Sequence, residues 1–155
     1  MERVASTTTP QPVIAIAERR SSGLSAVRSA QWVVVADRIS DPGNLGTILR
    51  SAEAAGVSAV VLTPGTVEAF NPKVVRASAG AMFHVPIIED VTVEEIKDNG
   101  FQIFGTSSHD QEGSIEFTAA DLTGKIALVV GNEAHGLDDN AAVDSWLTIP
   151  HRGRS

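Results

Sequence analysis

The sequence has no cysteine, so disulfides and cysteine-ligated metals are excluded from the outset. No apolar run approaches the roughly 20 residues needed to span a bilayer. The first ten residues, Met1 to Pro10, lack the apolar core of a signal peptide. A cytoplasmic protein with no membrane partner is therefore expected. Positive charge is also scarce. Twelve Lys and Arg stand against nineteen Asp and Glu, a formal net charge of −7. That argues against a broad basic face tracking many phosphates, although local basic spots remain at His151-Arg-Gly-Arg154 and at Lys73 and Arg76. Gly43-Asn-Leu-Gly46 fits neither Gly-x-Gly-x-x-Gly nor a Walker loop. Ser155 has no nucleophile elbow around it. His84, His109, His135 and His151 show no metal-ligand spacing. There is no internal repeat and no low-complexity tract.

What is present is the composition of an α/β protein of one domain: 155 residues, 43% hydrophobic, 13 glycines. Residues 1–12 are rich in Ser, Thr and Pro and read as an arm or linker. Val13-Ile-Ala-Ile-Ala17 has the pattern of a short edge strand, and Glu18 to Ala30 that of a loop with a helical turn. From Trp32 onward, strands are expected at 32–36, 59–63, 83–88, 102–106, 126–131 and 146–150. Helices are expected at 44–55, 72–79, 92–99 and 139–145. The strands are continuous Val/Ile/Leu runs, so both faces should be buried. Strands of that kind alternating with helices imply a mostly parallel sheet with helices on both faces.

Punctuation supports these assignments. Asn71-Pro72 suits an N-cap with Pro in the first turn. Thr92 and Glu95 have capping-box spacing, and Asn99-Gly100 closes the same helix. Asp138-Asp-Asn140 would start another. Asn44 reads as the cap of the helix after the first long strand. Leu45, Ile48, Leu49, Ala52 and Ala55 then form one apolar face, with Arg50 off that face.

Polar, Gly-containing loops follow four strands: Asp41 to Arg50, Gly105-Thr-Ser-Ser-His109, Gly131-Asn-Glu-Ala-His-Gly136 and Pro150 to Ser155. In a parallel sheet they share the carboxyl edge, where open α/β sheets bind ligands. Each residue also has a plain structural reading. Asn44 is a cap. Arg50 is a solvated residue beside an acid such as Glu53. Glu133 caps the segment after it, and Thr106 and Ser107 are turn residues.

Three segments together are more specific. Asp41-Pro-Gly-Asn-Leu-Gly-Thr-Ile-Leu-Arg-Ser-Ala-Glu-Ala-Ala-Gly56, Leu128-Val-Val-Gly-Asn-Glu-Ala-His-Gly-Leu137 and Ile149-Pro-His-Arg-Gly153 resemble, in order, the three motifs of the SpoU (TrmH-type) RNA ribose 2′-O-methyltransferases of the SPOUT class. The resemblance covers about residues 32–155. It implies a SPOUT-like α/β fold with a C-terminal trefoil knot, S-adenosylmethionine as cofactor, a homodimer, and a ribose 2′-hydroxyl of rRNA, ahead of tRNA, as methyl acceptor. It also implies roles: Asn44, Arg50 and Glu133 at the reacting centre, with Thr106, Gly131 and Ile149 against the cofactor. The expected division is residues 1–30 as an arm or remnant of an upstream substrate-binding domain, and 31–155 as the methyltransferase domain. The family's third motif continues into a Ser-Leu-Asn segment and a helix that this sequence does not reach. The domain is therefore expected to be truncated at its C-terminus, with an incomplete knot. A non-catalytic RNA-binding or assembly module on the same scaffold is the alternative. Another α/β nucleotide-binding enzyme is disfavoured by the missing phosphate loop.

Overall fold

A computed structural model describes residues 15–16, 18–19, 22–107, 113–132, 134–137 and 142–149. In chain order the elements are α1 (Ser25–Arg28), β1 (Trp32–Ala36), α2 (Pro42–Ala54), β2 (Ala59–Leu62), α3 (Pro72–Ala77), a 3₁₀ turn (Ala81–Phe83) and β3 (Ile87–Ile88). Then come α4 (Val93–Asp98), β4 (Gln102–Ser107), β5 (Ile115–Glu116), a second 3₁₀ turn (Phe117–Ala119), β6 (Ile126–Val130) and β7 (Ser145–Thr148). Among the described residues the strands form one sheet in the order β3-β2-β1-β6-β4-β7-β5, and every strand pair is parallel.

The two central strands, β1 and β6, show why. Val33 and Val35 enter one apolar layer with Val61, Ile96, Ile103 and Val129. Val34 and Ala36 enter the opposite layer with Leu45, Leu49, Val60 and Val74. A strand with apolar side chains on both faces is stable only when both faces are covered. α2 and α3 cover the second layer, while α1 and α4 contribute Val27 and Ile96 to the first. Leu45 and Leu49 are fully buried, worth about 1.5–3 kcal/mol each relative to exposure.

Helix boundaries follow their caps. Asn71 and Thr92 cap α3 and α4 as expected, the latter with a complete capping box. Asn44 is not the cap of α2. Asp41 is: its carboxylate accepts the Asn44 backbone N–H at 2.9 Å, and the helix begins at Pro42. The Pro ring suits the first helical position, where no N–H partner is needed, so the start moves forward.

Two other expectations are corrected. The strand expected at 83–88 shrinks to Ile87–Ile88. Residues 81–83 turn as a 3₁₀ helix, and Pro86, lacking an N–H, stands just ahead of the ladder. The helix expected at 139–145 is not present over 142–145. Asp144 instead bonds edge-on to β4, with its N–H donating to the Ile103 carbonyl and its carboxylate accepting the Ile103 N–H, and β7 starts at Ser145. Residues 139–141, the Asp138–Asn140 cap, most of the 13–17 strand and the C-terminal segment 150–155, where the knot is expected, lie outside the described residues. No helix among the described residues is long and apolar enough to cross a membrane.

Candidate active site

The sheet register aligns the loops. Ala36 pairs with Val130, Gly105 with Val129, and Ser107 with Thr148. One step along the ladder, Asp37 and Gly131 leave the sheet side by side, level with the end of β4, and Ile149 follows directly after β7. The chain thus leaves β1, β4, β6 and β7 at one carboxyl edge, where the strand ends of a parallel sheet form a ligand crevice.

The floor of this edge is a hydrogen-bonded carboxylate. Asp37 follows β1 and is 9% exposed. Its Oδ1 accepts the Thr63 hydroxyl at 2.8 Å, and its Oδ2 is 3.1 Å from both Nε and Nη2 of Arg38. The same Thr63 oxygen accepts the Arg38 backbone N–H at 3.0 Å. A buried carboxylate without such partners would be costly. Arg38 has a φ of 52°, a left-handed conformation that is uncommon outside glycine and is held here by these bonds.

The loop after β6 is tied to this floor. The Asn132 amide nitrogen donates to the Arg38 carbonyl at 2.8 Å, and its Oδ1 accepts the N–H groups of Ala134 and His135. Asn132 and Gly136 also exchange both backbone bonds, at 3.1 and 2.8 Å. This fold-back brings Gly131 against the far side of its own loop. A Cβ there would lie 2.5 Å from the Gly136 carbonyl carbon, so only glycine fits.

The predicted site residues fall into two groups. Thr106, Gly131 and Ile149 meet at the carboxyl edge. Thr106 lies near the end of β4, within the expected strand 102–106 and not in the turn that follows it, half-buried, with its hydroxyl donating to the Val129 carbonyl at 3.1 Å. Gly131 is half-buried and Ile149 is 65% exposed. Asn44 is exposed in the first turn of α2, near the same edge. Arg50 is not brought to them. It stands eight residues beyond Pro42, about 12 Å down the helix at 1.5 Å per residue. It lines a separate cleft of about 610 Å³ with Thr47, Ser51, Ser78 and His84. Glu133 lies outside the described residues. No cluster of metal-ligating side chains occurs among the described residues.

Asp37, Thr63 and Asn132 were missed as contributors to this edge. Asp37 had a usable signal, an acid ending an apolar strand. Thr63 had none, and Asn132 was legible only as a member of the second motif, because their partners are 26 and 94 residues away in sequence.

Comparison with known proteins adds the deciding observation. The model of the SpoU rRNA Methylase family matches residues 31–155. The chain belongs to this family. Similar proteins include the 23S rRNA (guanosine(2553)-2′-O)-methyltransferase RlmP of Bacillus subtilis (strain 168), 38% identical over 87% of this chain and 53% of that protein. Among solved structures, the AdoMet-bound rRNA methyltransferase of Sinorhizobium meliloti matches at 32% identity with a TM-score of 0.77, over 89% of this chain and 55% of that one. The SpoU methyltransferase AviRb of Streptomyces viridochromogenes matches at 28% identity with a TM-score of 0.75, over 89% and 58%. The chain thus spans about half the length of these SpoU relatives. Their likeness extends through the parallel sheet that carries the loop edge.

Proposed function

We propose that the chain is the catalytic part of an S-adenosylmethionine-dependent RNA methyltransferase that acts on a ribose 2′-hydroxyl, with rRNA as the substrate ahead of tRNA. One observation carries the reading: the chain leaves neighbouring strands of one parallel sheet at Asp37, four residues before the first motif, and at Gly131 within the second, and Asn132 of the second motif bonds the Arg38 carbonyl on the way into the first. A relative named as a 23S rRNA 2′-O-methyltransferase is 38% identical, and an AdoMet-bound rRNA methyltransferase has a similar fold over 89% of this chain.

The residues present fit the cofactor. The exposed apolar Ile149 and the half-buried Gly131 and Thr106 offer an apolar wall and main-chain polar groups, which suits an adenine ring. When bound, the cofactor supplies an electrophilic methyl group. The protein's own task is then to align the acceptor and ease loss of its proton. Arg50 is charged at all working pH values and is a poor literal base. Its place is to stabilise developing negative charge on the acceptor oxygen or to hold an adjoining phosphate. Asn44 and Glu133 orient the acceptor.

Homodimerisation is part of the same reading. The cleft that Arg50 lines shares no lining residue with Thr106, Gly131 or Ile149, and a second copy offers the means to complete the site. Residues 31–155 form the methyltransferase domain, to whose core α1 adds Val27, and the residues ahead of α1 belong to an arm or to the remnant of an upstream substrate-binding domain.

The test is direct. Calorimetric titration with S-adenosylmethionine should show binding. Tritium from methyl-labelled cofactor should pass to rRNA, and a 2′-deoxy substitution at the acceptor should abolish transfer. RNA binding with no cofactor binding would support the non-catalytic module instead.

A further inference from the structure

Thr63 lies outside all three motifs, yet it holds the place where the chain leaves β1. Residues 63–66, just past β2, grip three consecutive residues of that exit. The Thr63 backbone N–H donates to the Ala36 carbonyl at 3.2 Å, and the Thr66 hydroxyl donates to the same carbonyl at 3.0 Å. The Thr63 hydroxyl donates to the Asp37 carboxylate at 2.8 Å, and its oxygen accepts the Arg38 N–H at 3.0 Å. Thr63 is buried. On the other side of β1, Asp37 donates its N–H to the Val130 carbonyl of β6 at 2.8 Å, and the Arg38 carbonyl accepts the Asn132 amide. A connection from strand to helix requires neither a buried carboxylate nor a left-handed arginine, and both cost stability. Together they make an unbroken line of hydrogen bonds from the end of β2, across β1, to the loop that presents Gly131.

We propose that Thr63 is a positioning residue for the cofactor: acting through Asp37 and Arg38, it fixes the Asn132 fold-back and so the place of Gly131 in the crevice. This rests on the methyltransferase reading and adds to it a residue that acts on the cofactor only through others. The hydroxyl donates to the side chain of one residue and accepts the N–H of the next, which locks Asp37 and Arg38 in their relative orientation. A left-handed arginine persists only where its surroundings over-determine it. Without the hydroxyl, Arg38 relaxes toward the ordinary backbone regions, and its carbonyl swings away from Asn132. The Asn132 side chain then loses the partner that ties its loop to β1.

The test compares variants by calorimetric titration with S-adenosylmethionine and by amide hydrogen exchange. Thr63→Val keeps the shape and removes the hydroxyl. It should weaken cofactor affinity roughly five-fold to a hundred-fold, the range for a buried polar group left without its partner. It should also speed exchange at the Ala134, His135 and Gly136 amides, which bond to Asn132. Thr63→Ser should restore both. Arg38→Gly and Arg38→Val both remove the guanidinium, but glycine enters the left-handed turn freely and valine does not, so the glycine variant should bind the cofactor more tightly. In an Asn132→Ala background Thr63→Val should cause no further loss, because the line is already cut, whereas independent residues would add. Ile96→Val, which trims the core at α4, should lower the melting temperature and leave affinity unchanged. The proposal is overturned if Thr63→Val leaves affinity or exchange as it was, if Thr63→Ser restores neither, if Arg38→Val binds as tightly as Arg38→Gly, or if the losses at Thr63 and Asn132 add. An unaltered chain that does not bind the cofactor overturns the methyltransferase reading and this inference with it. Cofactor binding that Thr63→Val does not weaken overturns this inference alone.

Discussion

Asn132 donates its side-chain amide to the backbone carbonyl of Arg38 at 2.8 Å, joining the loop after β6 to the residue that bends the chain away from β1. The bond is one arm of a fork, since Asn132 Oδ1 accepts from Ala134 and His135 at the same time. Asn132→Asp keeps the accepting arm and turns the donating arm into a second acceptor facing a carbonyl. An unmade bond of this kind costs about 1–3 kcal/mol. The loop carrying Gly131 should loosen. We expect a lower melting temperature and at least a ten-fold weaker affinity for S-adenosylmethionine by calorimetry, with the circular dichroism spectrum unchanged. Full cofactor affinity in this variant would show that the link is dispensable.

Gly46 marks where α2 and α3 touch. A Cβ on it would stand 2.3 Å from the Ala77 Cβ and 2.9 Å from the Ser78 backbone nitrogen. Backbone cannot swing aside as a long side chain can. Gly46→Ala should therefore force the helices apart, with a net cost of about 1–3 kcal/mol of overpacking despite alanine's better helix propensity. The urea midpoint should fall.

Asp41 and Asn44 separate a structural role from a chemical one. Asp41 caps α2, so Asp41→Ala should cost about 1 kcal/mol of stability. Asn44 contributes its backbone N–H to that cap, and truncating its side chain leaves the bond in place. Asn44→Ala should thus keep the cap and cost less stability than Asp41→Ala, while losing most methyl transfer. Chemical denaturation paired with labelled-methyl transfer distinguishes the two. An Asn44→Ala protein of full activity would remove Asn44 from the reacting centre.

How far the sequence discloses this depends on the range of the interaction. The central strands were legible because Val/Ile/Leu runs between turn residues carry their own signal, and β1 begins and ends where expected. The caps at Asn71 and Thr92 were legible for the same reason, since donor and acceptor lie within three residues. The Asp37–Thr63 and Asn132–Arg38 bonds were not, because they connect segments that only the sheet order brings together. The short edge strand Ile115–Glu116 also escaped notice. It is two residues long and exposed, with no apolar pattern. Arg50 was legible as a motif residue, but its distance from the loop edge follows from the direction of α2, which no motif records.

Asp144 replaces the last turn of an expected helix with an anchor between β4 and α4. Its carboxylate is 2.6 Å from the Lys97 ammonium and 2.8 Å from the Ile103 N–H. Burial pushes its carboxyl up, yet the bonds from Lys97 and Ile103 outweigh this and hold it below the ordinary value of 3.8. A carboxyl lowered on folding contributes stability that is present above its unfolded value and is lost as pH falls through its folded one. Asp144→Asn keeps an oxygen for Ile103 but gives up the charge. Both side chains are substantially exposed, at 42% for Lys97 and 33% for Asp144, so solvent screening limits the pair to about 1 kcal/mol or less. The variant's urea midpoint should therefore lie slightly below that of the unaltered chain at pH 7, and the gap should narrow steadily below pH 3.8 as Asp144 takes up its proton. Added salt should narrow the pH 7 gap as well. A gap that stays constant from pH 7 down to pH 2.5 would mean that the charge of Asp144 plays no part and that its hydrogen bond to β4 alone holds the edge.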